Sequence, residues 1–381
     1  MKKLNLSLLS FIVPRYCNFN CAFCGVKKYK KVKKSLSLSL AKEILEVAAK
    51  NNVKKFTISG GGEPFLFFND VIKMIEIAHE KRMQTIITTN GSFFINKGIG
   101  NSIKKLKKAG LDFLRISIDY YHLKFISLDV LINIIKEAMN SNIRVILKVA
   151  SNKNITNKNK LLLEKIAKKL KGKLITIIPF MGMRGLSVII IKNKIIQIII
   201  EKIIVNKENY KFINDKQIEH KNLAFQACKY DAPNALIVDG DYNILPCCSF
   251  TSINMPHLYS ICKITNPIKD VFKKSSSMIK EITSDKYKFL NIYLKIQKNE
   301  KLKKEFLNEK YFSECDFCSW IIEHRYEIEK IDEPSRIEML LFILLNFNIL
   351  LKERLIYSYF MFFNIALTAL ERLKKSFNIF W

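Results

Sequence analysis

Short apolar runs recur along the first half of the chain. After a longer first gap they return about every thirty residues, and they are apolar or rich in β-branched residues, as strands are. The pattern therefore predicts six strands. They begin near Leu6, Lys54, Gln84, Asp112, Ile143 and Leu174.

Between these runs, apolar residues return at helical spacing and share one face. Alternation of helices with nearly continuous apolar strands predicts the α/β class, with a parallel sheet covered by helices. Six βα units make a partial (β/α)6 barrel of the TIM type. The helical faces are Leu40, Ile44, Val47 and Ala48; Val71, Met74, Ile75 and Ala78; Leu128, Leu131, Ile135 and Met139; and Leu163, Ile166, Ala167 and Leu170.

Three cysteines follow the first predicted strand at C-x3-C-x2-C spacing: Cys17, Cys21 and Cys24. Three thiolates can hold three corners of a cubic [4Fe–4S] cluster, which leaves the fourth iron open to bind a small molecule and pass it an electron. Structural zinc normally has four protein ligands, and the next histidine along the chain is His79. Ordinary buried thiols have no reason to cluster at this spacing. The triad therefore favours an iron–sulfur site over zinc or unligated thiols.

Four motifs in chain order resemble the radical S-adenosylmethionine (radical SAM) superfamily. The triad, with Phe23 before its last cysteine, is similar to the cluster-binding loop of that family, and Ser59–Pro64 resembles its Gly-Gly-Glu-Pro stretch. Thr89–Gly91 and Ser117–Asp119 resemble its Thr-Asn-Gly and Ser-x-Asp motifs. The likeness covers residues 5–180 and continues more weakly beyond them. It implies a [4Fe–4S] cluster and SAM as cofactors.

All four motifs follow or end predicted strands, so they converge on one mouth of the predicted barrel. Gly61 and Gly62 let the backbone approach a ligand closely, and the carboxylate of Glu63 is suited to the ammonium group of SAM. Ser117 and Asp119 are suited to ribose hydroxyls. A plain turn at the glycines and a strand-end cap at the serine and aspartate are the alternatives.

Two further residues are candidate contacts of SAM, together with Phe23 of the cysteine loop. Asn90 lies at the end of the third predicted strand, and its alternative role is to shape a turn. Lys148 lies on the fifth predicted strand, where it faces either the carboxylate of SAM, the substrate, or solvent.

The resemblance also implies a reaction. The reduced cluster passes an electron to SAM, the C–S bond breaks, and the 5′-deoxyadenosyl radical abstracts a hydrogen atom from the substrate. A donor of the flavodoxin or ferredoxin type would reduce the cluster. The protein excludes water and holds the target hydrogen within reach.

Four later cysteines form a complete thiolate set that resembles the SPASM or Twitch extension of radical SAM enzymes. The glycine expected five residues before Cys247 is displaced, and no closely spaced run of later cysteines follows. We therefore expect one auxiliary [4Fe–4S] cluster. Cys248 and Cys262 are alternative ligands or free buried thiols. The expected ligands are Cys228, Cys247, Cys315 and Cys318.

The chain has 381 residues, of which 49% are hydrophobic, and this suffices for a barrel and a smaller domain. We predict a barrel over residues 1–186, a linker region over 187–227, a Cys-rich domain over 228–330 and an apolar helical tail over 331–381. Within the linker, residues 188–205 fit an amphipathic helix capped by Ser187, although the β-branched isoleucines leave a strand open.

The net charge of +30 raises the question of nucleic acid as a partner. The lysines are spread over nearly every helix, with no arginine-rich or aromatic-interleaved tract. A genome rich in A·T pairs gives the same excess of Lys, Ile and Asn. The distribution of the lysines therefore disfavours nucleic acid as a partner, and it leaves an anionic membrane surface or an acidic peptide as alternatives.

The predicted tail contains two charge-free runs, at 339–351 and 355–370. Each is shorter than the ~20 residues that span a bilayer. They favour helices packed on the protein or on a dimer partner over a peripheral membrane anchor. Because the chain shows no secretory signal, we expect a cytoplasmic protein, with membrane association through the tail as the alternative.

Three function classes follow. The first is a radical SAM enzyme acting on a peptide or protein side chain, because auxiliary-cluster extensions are common among peptide-modifying relatives. The second is a radical SAM enzyme acting on a small molecule such as a sugar, alcohol or lipid precursor. The third is a non-enzymatic iron–sulfur or zinc protein that binds nucleic acid.

Overall fold

The chain divides into two compact units in the computed structural model: residues 1–203 with 231–280, and residues 204–230 with 281–381. The structure describes residues 7–14, 16–24, 35–151, 156–178, 184–192, 194–202, 235–240, 243–245, 262–263, 288–309, 320–321, 324, 327–328, 330–335, 338–339 and 341.

The described part of the first unit is built on one sheet. Its strands are β1 Leu8–Ile12, β2 Lys55–Ile58, β3 Gln84–Thr89, β4 Phe113–Ser117, β5 Arg144–Ser151, β6 Lys173–Ile178, β7 Arg184–Ile191, β8 Lys194–Lys202, β9 Ala235–Asp239, β10 Asn243–Leu245 and β11 Cys262–Lys263. Their spatial order is β11-β10-β9-β1-β2-β3-β4-β5-β8-β7-β6.

The centre of this sheet is parallel and its edges are antiparallel. The neighbouring strands β9, β1, β2, β3, β4, β5 and β8 all run in the same direction. At one edge β10 and β11 run antiparallel to their neighbours, and at the other edge β6 and β7 do the same. The predicted α/β class with a parallel-rich sheet is confirmed, whereas the partial barrel stays a prediction.

Helices follow the central strands and bury the predicted faces. Ser37 and Ser127 cap two of them by accepting hydrogen bonds from the backbone N–H groups of Leu40 and Val130. Each of the four predicted faces contributes buried side chains to the main core. The helices are α1 Leu38–Lys50, α2 Phe68–Glu80, α3 Phe93–Lys97, α4 Ile99–Lys108, α5 Leu128–Asn140 and α6 Thr156–Lys169.

All six predicted strands form, but the sixth pairs differently from the expectation. β8, rather than β6, lies beside β5, and β6 is the outermost strand of the edge formed with β7 and β8. The helix predicted over residues 188–205 is wrong, because β7 and β8 form an antiparallel hairpin there. Ile189, Ile196 and Ile198 are fully buried in this hairpin. Branching at Cβ favours the pleated strand over the helix at these positions.

The first strand of this hairpin runs across one predicted domain boundary. β7 spans residues 186 and 187, so the sheet of the first predicted segment continues into the segment that was expected to be a linker. The domain boundaries stay a prediction.

The described part of the second unit contains two helices, α7 Lys288–Lys298 and α8 Glu300–Asn308. They share an apolar cluster in which the Phe306 ring lies 5.8 Å from that of Tyr293 and 5.4 Å from that of Trp320. Asn299 caps α8 by accepting a hydrogen bond from Leu302 N.

Several expectations lie outside the described residues. They concern Cys228, Cys247, Cys248, Cys315 and Cys318, and the tail from residue 342 onward. Cys262 begins β11, but its side chain is outside the description. Among the helices that the structure does describe, none combines the length and the apolar character that a membrane span requires.

Candidate functional site

The cysteine triad lies in the loop that follows β1, the strand held between β2 and β9. Cys24 N donates a hydrogen bond to Cys21 O at 3.0 Å, which closes a turn between the last two cysteines. Cys21 is buried, and Cys17 and Cys24 are half-buried against a small apolar cluster that contains Ile237. The three thiols are thus gathered at the carboxyl end of a central parallel strand.

The glycines after β2 pack against the cysteine loop. A Cβ at Gly62 would overlap the carbonyl oxygens of Pro14 and Tyr16, and one at Gly61 would overlap the side chain of Ile12. Gly61 also has a φ of +71°, where L side chains are strained. The close approach that these glycines permit is therefore to the backbone entering the triad, and their contact with SAM stays a prediction.

Glu63 is buried and bonded by the protein itself. Its Oε1 accepts hydrogen bonds from Phe65 N at 3.1 Å and Thr89 Oγ1 at 2.8 Å, and its Oε2 accepts one from Asn90 N at 2.7 Å. Burial raises the pKa of Glu63 to about 7, against the lowering effect of these donors. Glu63 ties the loop after β2 to the end of β3, and its predicted contact with SAM remains a prediction.

Asn90 connects the end of β3 to the cysteine loop. Its Nδ2 donates one hydrogen bond to Asn18 Oδ1 at 3.1 Å and a second one to Cys17 Sγ at 3.5 Å. Its Oδ1 accepts from Ser92 N at 2.9 Å, and Asn18 Nδ2 donates to Ser92 Oγ at 2.8 Å. Asn90 therefore shapes a turn and also reaches a triad thiol.

Asp119, just beyond β4, is fully buried with both oxygens engaged by the protein. Its Oδ1 accepts from Tyr121 N and His122 N at 2.9 and 3.1 Å. Its Oδ2 lies 2.9 Å from His122 Nδ1 and accepts from Ala150 N at 3.2 Å. The described donors already occupy both oxygens of this carboxylate. A ribose contact for Asp119 stays a prediction.

His122 reaches back from the loop after β4 to the cysteine loop. Its ring centroid lies 5.9 Å from that of Phe23 and 6.5 Å from that of Phe19, two residues of the cysteine loop. Burial lowers the pKa of His122, but the charge and hydrogen bond of Asp119, together with Cys21, raise it to about 10. The imidazole is therefore held by the Asp119 carboxylate beside the aromatic rings of the cysteine loop.

Three other predicted residues lie around the same strand ends. Phe23 packs its ring 5.1 Å from that of Tyr121. Ser117 and Lys148 are register partners on β4 and β5, and both are half-buried. Register partners of a sheet share a face, so Ser117 and Lys148 lie on one side of the sheet. Their contact with SAM stays a prediction.

The donor set fits an iron–sulfur cluster. Thiolates are the ligands that select such clusters, and Cys17 Sγ already accepts a hydrogen bond from Phe19 N at 3.4 Å. Burial raises the pKa of Cys17 to about 12, against that hydrogen bond. A thiol with this pKa is protonated at neutral pH, and coordination to a metal is what removes its proton. Cys17, Cys21 and Cys24 would therefore hold the cluster.

Sequence reasoning missed three residues of this site: Asn18, Ser92 and His122. Asn18 and Ser92 join Asn90 in a small amide–hydroxyl network. A usable signal existed for His122, since it follows Asp119 at a spacing that brings both side chains to one side of a turn. Asn18 and Ser92 carried no comparable signal, because their bond links positions that are far apart in the chain.

In the second unit, Glu305, His324 and Glu327 bring three possible ligand atoms within 4.8 Å of one another. Lys301 Nζ lies 3.2 Å from Glu327 Oε1, and His324 Nε2 lies 3.4 Å from Glu305 Oε2. The Glu327 carboxylate is thus paired with a lysine, and the Glu305 carboxylate lies beside a histidine. The described residues of the second unit therefore show an ion-pair network at this position.

Residues 11–163 match the family model described as the Radical SAM superfamily. The match contains the triad, Gly61, Gly62, Glu63, Asn90, Ser117, Asp119 and Lys148. This part of the chain is therefore a Radical SAM domain.

Curated relatives share this region. A GTP 3′,8-cyclase of Campylobacter jejuni is 31% identical over 216 residues, which cover 52% of this chain and 64% of the relative. A GTP 3′,8-cyclase of Helicobacter pylori is 33% identical over 112 residues, which cover 28% of this chain and 33% of the relative. The chain thus spans less than two thirds of the length of these relatives.

A solved structure described as native anSMEcpe with bound AdoMet superimposes with a TM-score of 0.46 and 12% sequence identity. The superposition covers 84% of this chain and 98% of that chain.

Proposed function

We propose that this protein is a radical SAM enzyme whose Cys17, Cys21 and Cys24 hold a [4Fe–4S] cluster. The observation that carries the proposal is the meeting of three strand-end loops at the loop of the triad: glycines after β2, Asn90 after β3 and His122 after β4. When bound, the cluster and SAM supply a 5′-deoxyadenosyl radical that abstracts a hydrogen atom from the substrate.

The protein's own residues hold the thiols and shield Cys21 from water. Phe19 N and Asn90 Nδ2 are hydrogen-bond donors to Cys17 Sγ, and Gly62 lets the loop backbone lie directly against the end of β2. Cys21 is 5% exposed. A site shielded in this way strengthens the electrostatic interactions within it and protects a reactive radical from side reactions.

The substrate that we propose is a small molecule. The Campylobacter and Helicobacter relatives carry the name of a GTP cyclase, which acts on a small molecule. The peptide or protein side chain favoured from the sequence has no support among these relatives. GTP itself is not part of the proposal, because the chain spans only 64% of the Campylobacter relative.

Two further parts of the proposal rest on the sequence. One is an auxiliary [4Fe–4S] cluster held by Cys228, Cys247, Cys315 and Cys318. The other is a flavodoxin or ferredoxin as the electron donor, because the cluster must be reduced before it can act. The partial barrel is the architecture proposed around these sites.

The test is formation of 5′-deoxyadenosine by anaerobically reconstituted protein with SAM and a strong reductant. Wild-type protein should form it, and the Cys21→Ala variant should form none, because one cluster ligand is lost. Ser39→Ala, on the exposed side of α1, is the matched control and should behave as wild type. Wild-type protein that contains a full complement of iron and sulfide and forms no 5′-deoxyadenosine would refute the proposed activity.

A further inference from the structure

Exposed apolar and basic side chains are grouped on the surface beside the cysteine loop. They come from the segment after β4 and from the N-terminal part of α6. Tyr120 and Phe125 are 39% and 40% exposed, and Leu161 is 65% exposed. Lys124 and Lys158 are exposed beside them. We call these five residues the aromatic–basic patch. Exposed apolar side chains that are grouped and rimmed by charge mark interaction sites, whereas single ones need no explanation.

The two lysines of the patch lie against one aromatic ring. Lys158 Nζ is 4.5 Å from the centroid of the Tyr120 ring, and Lys124 Nζ is 5.7 Å from it. A cation within about 6 Å of a ring is attracted by its face. The backbone under the ring is fixed to α6, because Asn159 Oδ1 accepts a hydrogen bond from Tyr120 N at 3.2 Å. The buried Asn159 side chain also donates to Ala150 O at 3.0 Å. The positive charges therefore occupy defined places.

The patch presents a positive surface to solvent. In the described segments 118–129 and 156–163, the two carboxylates are engaged by other groups. Asp119 is buried and accepts backbone hydrogen bonds, and Asp129 is bound by Lys169 Nζ at 2.7 Å. The complement of such a surface is an acidic one. A second copy of this chain, with the same net charge of +30, is a poor partner for it.

One ring of the patch contacts the cysteine loop directly. Phe125 stacks on Phe19 with 5.1 Å between the ring centroids and 24° between the planes. Phe19 lies between Cys17 and Cys21 in the chain, and its backbone N–H donates to Cys17 Sγ at 3.4 Å. The exposed ring of Phe125 is thus separated from a triad sulfur by one residue. A protein bound on the patch would lie beside the proposed cluster, where an electron donor has to be.

We propose that the aromatic–basic patch is the docking surface for an acidic flavoprotein that reduces the cluster. One electron leaves the reduced flavin of this carrier and enters the oxidised cluster, and water balances the protons of the flavin. The inference rests on the proposed function, since it requires the triad to hold the cluster. Complexes of electron carriers are small and weak, and an aromatic centre with a charged rim fits such an interface.

The experiment measures the Kd of an acidic flavodoxin for the reconstituted full-length protein, by anaerobic isothermal titration calorimetry at low salt. Lys124→Glu/Lys158→Glu reverses both charges of the patch. We expect its Kd to rise about tenfold, because two attractions become repulsions. Added salt should raise the Kd of wild type and narrow the difference between the two proteins.

A second readout is the rate at which reduced flavodoxin reduces the cluster, followed by stopped-flow absorbance below saturation. The rate is divided by the rate with dithionite for the same protein, so that differences in cluster loading cancel. This ratio should fall about tenfold in Lys124→Glu/Lys158→Glu, in step with its Kd.

Lys104→Glu/Lys108→Glu is the matched control, because it changes the net charge by the same amount. These exposed lysines lie on α4, which leads to the start of β4 at the end of the sheet opposite the cysteine loop. The Kd of this variant should stay within about twofold of wild type. For the apolar part, Leu161→Ala should raise the Kd about threefold. Ile95→Ala removes an isomeric side chain, 51% exposed on α3, and should leave the Kd unchanged.

The outcomes separate the inference from the proposed function. A Kd raised in the patch variants alone would support the inference. Equal weakening by the two lysine pairs would overturn it, because overall charge and not this surface would then bind the carrier. Patch variants with the wild-type Kd, or cluster-loaded wild type that binds no flavodoxin, would overturn it as well. These results leave 5′-deoxyadenosine formation with dithionite untouched, whereas wild-type protein that loads no cluster would refute the proposed function and the inference together.

Discussion

Replacement of Gly62 by alanine tests whether the loop after β2 positions the cysteine triad. The new Cβ would overlap the carbonyl oxygens of Pro14 and Tyr16. Both atoms belong to backbone, which cannot rotate away as the end of a flexible side chain can. Because Tyr16 immediately precedes Cys17, the shift that relieves the overlap also moves the first ligand of the proposed cluster.

The size of the effect follows from the clash. Inserting a methyl group into a filled site costs about 1–3 kcal/mol. In a domain of roughly 200 residues, each kcal/mol lowers the melting temperature by about 2–4 °C. We therefore expect Gly62→Ala to melt roughly 2–12 °C below wild type.

Gly60→Ala is the matched control, because Gly60 has a φ of +85° and no atom lies within 4 Å of the position that a Cβ would take there. Its cost is backbone strain of about 1–2 kcal/mol, without a clash against the cysteine loop. Both variants should lose stability by calorimetry, but only Gly62→Ala should lose iron after reconstitution. Full iron in Gly62→Ala, at a stability equal to that of Gly60→Ala, would refute the reasoning.

Two other changes test the buried carboxylate and the second unit. Because burial raises the pKa of Glu63 from 4.5 to about 7, the folded state holds this proton more tightly, so stability falls as the pH rises from about 4.5 through 7. The free energy of unfolding should change by an amount on the order of 3 kcal/mol over this range. Urea unfolding of the iron-free protein should therefore show a flatter pH profile of stability for Glu63→Gln than for wild type. Identical profiles for the two proteins would contradict this role of Glu63. Phe306→Ala should lower the free energy of unfolding by about 3–5 kcal/mol, and tryptophan fluorescence should show unfolding at a lower temperature. Leu307 is 48% exposed, so Leu307→Ala should lose far less stability. Equal losses in the two variants would contradict the packing of Phe306.

The strand pattern was predictable because the central strands are buried and continuously apolar. Their starting points fall within two residues of the predicted ones, from Leu8 against Leu6 to Lys173 against Leu174. The hairpin of β7 and β8 was not predictable in the same way. Its isoleucines and lysines satisfy both helical and strand spacing, and the pairing with β5 that decides between them is a long-range contact.

The site was predictable at the level of which loops meet and not at the level of what each residue contacts. Motif positions placed Glu63 and Asp119 at strand ends, where a ligand contact was the natural expectation. The structure shows both carboxylates accepting hydrogen bonds from backbone N–H groups of their own loops and of neighbouring segments, one of them strand β5. Such bonds depend on the path of the backbone, which a single sequence does not reveal.

The pairing of β9 with β1 has a consequence for how the chain is made. β2 follows β1 closely, but β9, which pairs with Leu8–Ile12 from the other side, emerges from the ribosome much later. At 5–20 residues per second, the intervening ~220 residues take about 10–45 s to synthesise. Throughout this interval one edge of the strand that leads into the triad has unpaired backbone groups, which are a template for strand pairing between nascent chains. Completion of the sheet beside the triad therefore requires synthesis of β9, which ends at Asp239, and a chain that stalls before residue 235 presents its thiols beside an open, aggregation-prone edge.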